Sequence, residues 1–431
     1  MICGRRALWA TAVMAAILGL GFTATAATAT ATAARGKTLG GVVADVPTGH
    51  HSPPLARIAN LPYGGGPVMH ANRTHLIFWE PAGSGLSYDP GYQLQAETFL
   101  ARVAQDSHKP TNVYGLSGQY GDDGGPAAYA SAYAGAVTTF DPLPINGCIE
   151  PLGPPLGKGP GWSVCLNDGQ LMQEIASVIR ADHLPRTFRD LYFLVLPNEF
   201  GTCTGVSSDS CALGGEGNNG FCGYHSNDPE GTLLYAVIPY NAVSGHCQSG
   251  NPRPNASTAD PALSTISHEH NEAVTDPLGN AWVDGQSNEN GDLCIRSFGH
   301  LLGGSGPGAY NQVIGGGHYF LQEEWSNQNG GCRQRPDPDS ASFSLPRSVR
   351  ARVTLKLAAH AHVAHSSVAA YNWFFGDRHT GHGRVVSHAF SRAGTYRVVL
   401  RVTDSASNWT FATHTIKVTK PPARDRRKRR H

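Results

Sequence analysis

The stretch His268–Pro277, HEHNEAVTDP, constrains this chain more than any other. It sets an imidazole and two carboxylates within little more than one helical turn, and the fold must solvate them, pair them or give them an ion. Asp260-Pro261 predicts the helix start, because a carboxylate caps free backbone N–H groups and proline suits the first turn. Thr275-Asp276-Pro277 predicts its end, since proline disfavours the α conformation of the residue before it. At about 100° per residue, Leu263, Ile266, His270, Ala273 and Val274 share one stripe, and His268, Glu272, Glu269 and Thr265 fall opposite. His268 and Glu272 lie one turn apart, so both reach a single ion. Glu269 stands beside them, where a general base belongs. His270 lies on the apolar stripe and reads as packing or as support behind the ligands.

This is the spacing of the HExxH zinc motif with glutamate in place of the second histidine. Taken alone it also describes a polar helix face with no metal, and the residues that follow shift the balance toward a metal. Two protein ligands rarely hold zinc against water. A second acidic cluster, NENGDLC from Asn288 to Cys294, offers Glu289 and Asp292 as the third. The predicted metal set is therefore His268, Glu272 and either Glu289 or Asp292, with zinc as the ion and Glu269 as the catalytic base.

At 431 residues there is material for two or three domains, and a formal charge of +1 implies no polyelectrolyte partner. Arg5 and Arg6, the apolar run Ala7–Phe22 and Ala-Thr repeats with cleavage positions near Ala26, Ala27 or Ala34 predict a secretory signal. Cys3 leaves with it. Eight cysteines remain, and an even number in an exported chain reads as disulfides. Proximity favours Cys148–Cys165, Cys203–Cys211, Cys222–Cys247 and Cys294–Cys332. No later segment is long and apolar enough to span a bilayer.

In order, residues 35–65 predict a loose lead-in, with His50 and His51 solvated. His75–Glu80 (HLIFWE) has buried-strand length. Asp89-Pro90 opens a helix with Tyr92, Ala96, Phe99, Leu100 and Val103 on one face. Asn112–Tyr120 reads as a strand. Leu171, Ile175, Val178 and Ile179 mark a second helix. Asp190–Leu196 is a buried strand, residues 200–229 a cysteine-bearing insertion containing FCGYHS, and Thr232–Pro239 a further strand expected at the sheet edge, where it would pair with extended substrate. His318–Trp325 reads as a closing strand. The glycines at 303–308 and 315–317 lack the strand and helix that a nucleotide site needs.

HEHNEAVTDP, NAWVD, ENGDLC and HYFLQEEW, with the early segment GGPVMHANRTHLIFWEP, together resemble the exordium / phosphate-induced protein family of secreted plant proteins and their microbial relatives. The resemblance covers roughly residues 60–335. It implies an extracellular zincin-like domain and marks His268, Glu269, Glu272, Thr275, Asp276, Glu289 and Asp292. The usual HELAE core carries His270-Asn271 here, a departure that leaves the ligand positions intact and bears on substrate preference.

Pro336–Asp339 predicts a stiff linker. Beyond it Val353-Leu355-Leu357 and Val398-Leu400-Val402 alternate as half-buried strands do. YNWFFGD at 371–377, HAF at 388–390 and AGTY at 393–396 resemble a PKD domain, which implies an Ig-like sandwich with Trp373 and Tyr396 in its core. Asp377 and Asp404 read as turn-stabilising residues, with calcium binding the alternative. His360, His362 and His365 read as a solvated face. The run Arg424–Arg430 is a basic tail that reads as solvated chain, with a salt-sensitive hold on anionic wall polymers as the alternative. Asn72, Asn255 and Asn408 stand in N-x-[ST] sequons.

The expected organisation is 1–34 signal and Ala/Thr flank, 35–65 lead-in, 66–335 α+β zincin-like domain with a mixed sheet and active-site helix, 336–340 linker, 341–419 PKD sandwich and 420–431 tail. The expected activity is zinc-dependent hydrolysis of an extracellular protein or peptide. The alternative is a non-catalytic extracellular protein that binds cell-wall or matrix polymer, its metal structural or absent. No nucleic-acid motif is present.

Overall fold

The computed structural model describes residues 60–148, 162, 164–203, 211–212, 221–243, 247, 252–337, 339–363 and 366–420. The predicted signal, His50, His51, most of the lead-in, His365 and the basic run lie outside the described residues.

Five strands form a mixed sheet: β1 (Asn72–Trp79), β2 (Ser131–Thr139), β3 (Asp190–Val195), β4 (Tyr224–Asn227) and β5 (Leu234–Ile238), in the order β2-β1-β3-β5-β4. The first four in that order run parallel and β4 is antiparallel to β5. Because side chains alternate across a strand, β1 sends Leu76 and Phe78 to one face and Ile77 and Trp79 to the other. Helices α1 (Tyr92–Gln105) and α3 (Asp260–Thr275) pack on the first face, and α2 (Asp168–Ala181) on the second. Both faces are covered, so the central strands read as unbroken apolar runs. The helix faces of α1 and α2 follow the predicted spacing. An Asn167/Gln170 capping box starts α2.

Several expectations are corrected. Asn112–Tyr120 is a 3-10 helix, Val113–Gln119, not a strand: Asn112 Oδ1 accepts from Tyr114 N and caps a turn that Gly115 and Gly118 make easy. The strand beside β1 is β2, whose alanines and glycine gave no β-branched signal until Val137. Thr232–Pro239 does not supply the edge: β5 is flanked on both sides, and the edge on that side is β4, from within the cysteine-bearing insertion. His318–Trp325 splits into Gly317–Tyr319 and the start of Glu324–Ser326, leaving Phe320–Glu323 free to turn Gln322 inward. Asp260 is not the cap of α3; its carboxylate accepts from Asn255 N and Ser257 N and orders the loop before the helix.

The four expected disulfides are all present: Cys148–Cys165, Cys203–Cys211, Cys222–Cys247 and Cys294–Cys332. Of the sequons, Asn72 and Asn408 are buried, and Asn255 donates its amide to Asp260. Among the described residues no helix is long and apolar enough to cross a membrane.

On α2, Glu174 is buried against the sheet with Thr139 Oγ1 donating to it at 3.1 Å. Burial pushes its carboxyl up to about 7. A carboxyl raised in the folded state favours folding while protonated, so stability is lost as pH climbs from the ordinary glutamate range through 7. Glu174→Gln is expected to stabilise the protein by up to ~3 kcal/mol at pH 8 and by almost nothing at pH 4. Urea titrations at the two pH values check this, and equal gains at both would refute the assignment.

The C-terminal sandwich is built on Ser348–Arg350, Trp409–Thr419, Gly394–Asp404, Val368–Phe374 and Thr380–His382. Trp373, Val398, Leu400 and Val402 fill its core as expected. Tyr396 is only half-buried and stacks on Phe390 at 4.5 Å, while Val353 lies outside the strands and is exposed. Asp377 accepts from His379 N and His388, and Asp404 from Ala406 N, Asn408 and Ser366. Both therefore stabilise their own turns.

Pro336–Asp339 does not hold the two domains apart. Trp409 of the sandwich lies 5.0 Å from Trp282 and 5.4 Å from Tyr63, with the Arg401 guanidinium 4.1 Å over its own ring. Arg401 pairs with Asp123 at 3.2 Å, and Gln328 donates to Trp409 O and Thr410 Oγ1. Trp409→Ala empties a half-buried aromatic contact and is expected to cost about 2–3 kcal/mol. A urea midpoint indistinguishable from that of the parent would show that the two domains touch without stabilising each other.

Candidate metal centre

Three segments converge on one buried volume. Helix α3 contributes His268, Glu269 and Glu272, all 0% exposed. The loop ending in the 3-10 turn Asp292–Cys294 brings Glu289 and Asp292, and Cys294–Cys332 fastens that turn. Edge strand β4 brings His225. All five residues expected from sequence are thus gathered in one place. The expected polar face of α3 is not solvated, since every residue of the helix is buried. His270 packs as expected, against Tyr114 and Phe193, with Nε2 2.9 Å from Asn72 Oδ1.

His268 Nε2 lies 3.1 Å from Glu272 Oε1 and 3.7 Å from Asp292 Oδ1. His225 Nδ1 lies 3.4 Å from Glu269 Oε2 and 3.6 Å from Glu272 Oε2, and its Nε2 3.5 Å from Glu289 Oε2. Two triads share Glu272: His268, Glu272 and Asp292, and His225, Glu269 and Glu272. Within each, the donor atoms lie within 4.8 Å of one another. Asp292 closes the first triad, whereas Glu289 faces His225.

The cluster is held from behind by backbone. Asp292 N donates to Glu272 Oε1 at 3.0 Å, and Glu289 N to Asp292 Oδ2 at 3.1 Å. Thr275 Oγ1 donates to Asn290, and Asp276 Oδ1 accepts from Asn280 N and Ala281 N. Thr275 therefore ties the helix end to the NENGDLC loop and Asp276 ties it to the NAW segment. Gly291 has an ordinary φ of −73°. Its missing side chain matters for space: a Cβ there would lie 2.6 Å from His268 Nδ1 and 2.8 Å from Glu272 Oε1.

Electrostatically the cluster is short of positive charge. Burial pushes Glu269 up to about 7, with the His225 hydrogen bond opposing. Burial and the neighbouring Glu272 raise Glu289 and Asp292, and burial raises Glu324 on the adjacent strand well above the carboxylate range. Burial disfavours charge on His268, yet Glu272 and Asp292 outweigh it and raise its pKa well above the ordinary value. Glu272 is held low, because His268 and His225 outweigh burial. His268 Nε2, Glu269 Oε1, Glu272 Oε2 and both oxygens of Glu324 are buried without a hydrogen bond. Such orphaned atoms are costly unless something binds them. A divalent cation among nitrogen and carboxylate donors meets that need.

His225 went unseen in sequence. It lies 44 residues before Glu269, inside the insertion, with no motif spacing to α3. The one available signal was its place in FCGYHS, beside a cysteine expected to be bridged.

No curated protein matches the chain. Residues 335–419 match the PKD domain family. Among solved structures, the PKD1 domain of Vibrio anguillarum Epp is 26% identical, covering 20% of this chain and 98% of that one, TM-score 0.18. The PKD1 domain of the Vibrio cholerae metalloprotease PrtV is 22% identical, covering 19% and 93%, TM-score 0.16. The PKD domain of an M14-like peptidase from a Thermoplasmatales archaeon is 19% identical, covering 20% and 98%, TM-score 0.18. The C-terminal sandwich, residues 335–419, is a PKD domain.

Proposed function

We propose that this is a secreted zinc-dependent peptidase-like hydrolase whose zincin-like domain, residues 66–335, carries the chemistry. The observation that carries the reading is the convergence of His268, Glu272 and Asp292 with orphaned, fully buried His268 Nε2 and Glu272 Oε2. Those three residues would hold zinc. When bound, zinc supplies Lewis acidity toward a carbonyl and makes water a better nucleophile at neutral pH. Glu269 Oε1, unspent and beside the triad, takes the proton as general base. His225, hydrogen-bonded to Glu269 at 3.4 Å, orients that carboxylate. The four disulfides and the PKD domain suit an extracellular setting, and an extracellular protein or peptide is the proposed substrate.

The test is metal content of the purified full chain together with cleavage of a casein-peptide library with and without chelator. About one zinc per chain and chelator-sensitive cleavage are expected. A metal-free protein after zinc supplementation would end the reading. One observation favours the non-catalytic alternative: His268, Glu269 and Glu272 are 0% exposed, leaving a peptide no direct path to them in this conformation. Zinc bound without cleavage of any library peptide would select that alternative, with the PKD domain engaging wall or matrix polymer.

A further inference from the structure

We propose that Gln322 sets the tautomer of His268 and thereby the affinity of the site for a divalent cation. This rests on the metal reading above. A histidine that binds metal through Nε2 must keep its ring proton on Nδ1, and that proton needs an acceptor. Gln322 stands at that position. It is 1% exposed, its backbone N donates to Ser264 Oγ on α3 at 3.0 Å, and its side-chain Nε2 lies 3.0 Å from His268 Nδ1. The same Nε2 donates to Gly291 O at 2.8 Å.

An amide N–H donates and does not accept. In this arrangement His268 Nδ1 is therefore the acceptor, and a neutral ring carries its proton on Nε2, which lies 3.1 Å from Glu272 Oε1 without a hydrogen bond. That is the wrong tautomer for a ligand. Gln322 Oε1, meanwhile, is buried without a hydrogen bond. A half-turn of the terminal amide exchanges the two atoms with almost no change of shape, giving up the bond to Gly291 O. Oε1 then accepts from His268 Nδ1–H, and the Nε2 lone pair is released toward Glu272 and Asp292. The amide thus has one setting that donates to a bare Nδ1 and one that suits a loaded site. Gln322 acts through His268 and is a positioning residue.

Only a side chain that can present an oxygen to Nδ1 supports the loaded setting. Gln322→Met keeps the length and removes the acceptor; Gln322→Glu keeps an acceptor and nothing else. Zinc dissociation constants of the full chain, measured by chelator competition, are expected to rise about 10–100-fold for Gln322→Met and to stay at or below the parent value for Gln322→Glu. Nitrogen-15 shifts of the imidazole in zinc-loaded parent protein should place the His268 proton on Nδ1, a readout that a merely structural role would not move. A Gln322→Met constant within about twofold of the parent overturns the proposal, as does a Gln322→Glu loss equal to that of Gln322→Met. Should Gln322→Met fail to fold, Gln322→Glu decides alone: a tenfold loss or more overturns the assignment. A parent protein that binds no zinc defeats the metal reading itself, which is a different result from a parent that binds zinc and variants that do so equally well.

Discussion

Glu269→Gln is expected to lower peptide hydrolysis by about 10²–10⁴-fold while leaving zinc content near that of the parent. The amide fills the same space and can still meet His225 at the 3.4 Å contact, but it has no basic oxygen to take a proton. The residues proposed to hold zinc, His268, Glu272 and Asp292, are untouched. Without an ion, burial pushes Glu269 up to about 7. A bound cation favours the ionised form, so the acid limb of the parent's rate should lie below pH 7 and vanish in the variant. Turnover on a peptide library and metal content of the same sample check both halves. Full activity in a zinc-loaded variant would strip Glu269 of its role, and loss of zinc along with activity would make it a ligand instead.

A second large effect is expected from Gly291→Ala. A methyl group at that position meets His268 Nδ1 at 2.6 Å, His268 Cε1 at 2.7 Å and Glu272 Oε1 at 2.8 Å. The turn carries backbone bonds into the cluster through Asp292 N, so it cannot back away without losing them. The His268 and Glu272 side chains must move instead. Zinc affinity is expected to fall by about 100-fold, because both displaced side chains carry proposed donors at their other ends, and the metal-free protein to lose about 1–3 kcal/mol from overpacking. Gly285→Ala is the matched control: nothing lies within 4 Å of a Cβ there. Chelator competition and urea titration of the pair give the result. Equal behaviour of the two variants would mean that residues 289–292 do not crowd the helix as described.

Much of the architecture was legible because the physics behind it is local. The apolar runs at β1 and β3 and the stripes of α1 and α2 follow from side-chain geometry along one element. The cysteine pairs followed from proximity, since each partner lies near the other in sequence. Where local rules failed, a cap or a neighbour prevailed. Asn112 turned an expected strand into a 3-10 helix. A sparse Ala/Gly segment became β2 because β1 offered it a partner. The sheet edge passed to β4 because the insertion folds back antiparallel on β5.

For the candidate site the division is sharper. The sequence by itself determined that His268, Glu269 and Glu272 share a helix face and that two acids follow, since a regular helix converts spacing into direction. Tertiary structure alone decided that this face is buried, that Asp292 approaches His268 while Glu289 faces His225, and that Gln322 stands behind the imidazole. Those contacts join residues remote in sequence, and loop closure and sheet pairing, unlike helical pitch, are not written in any single stretch of the chain.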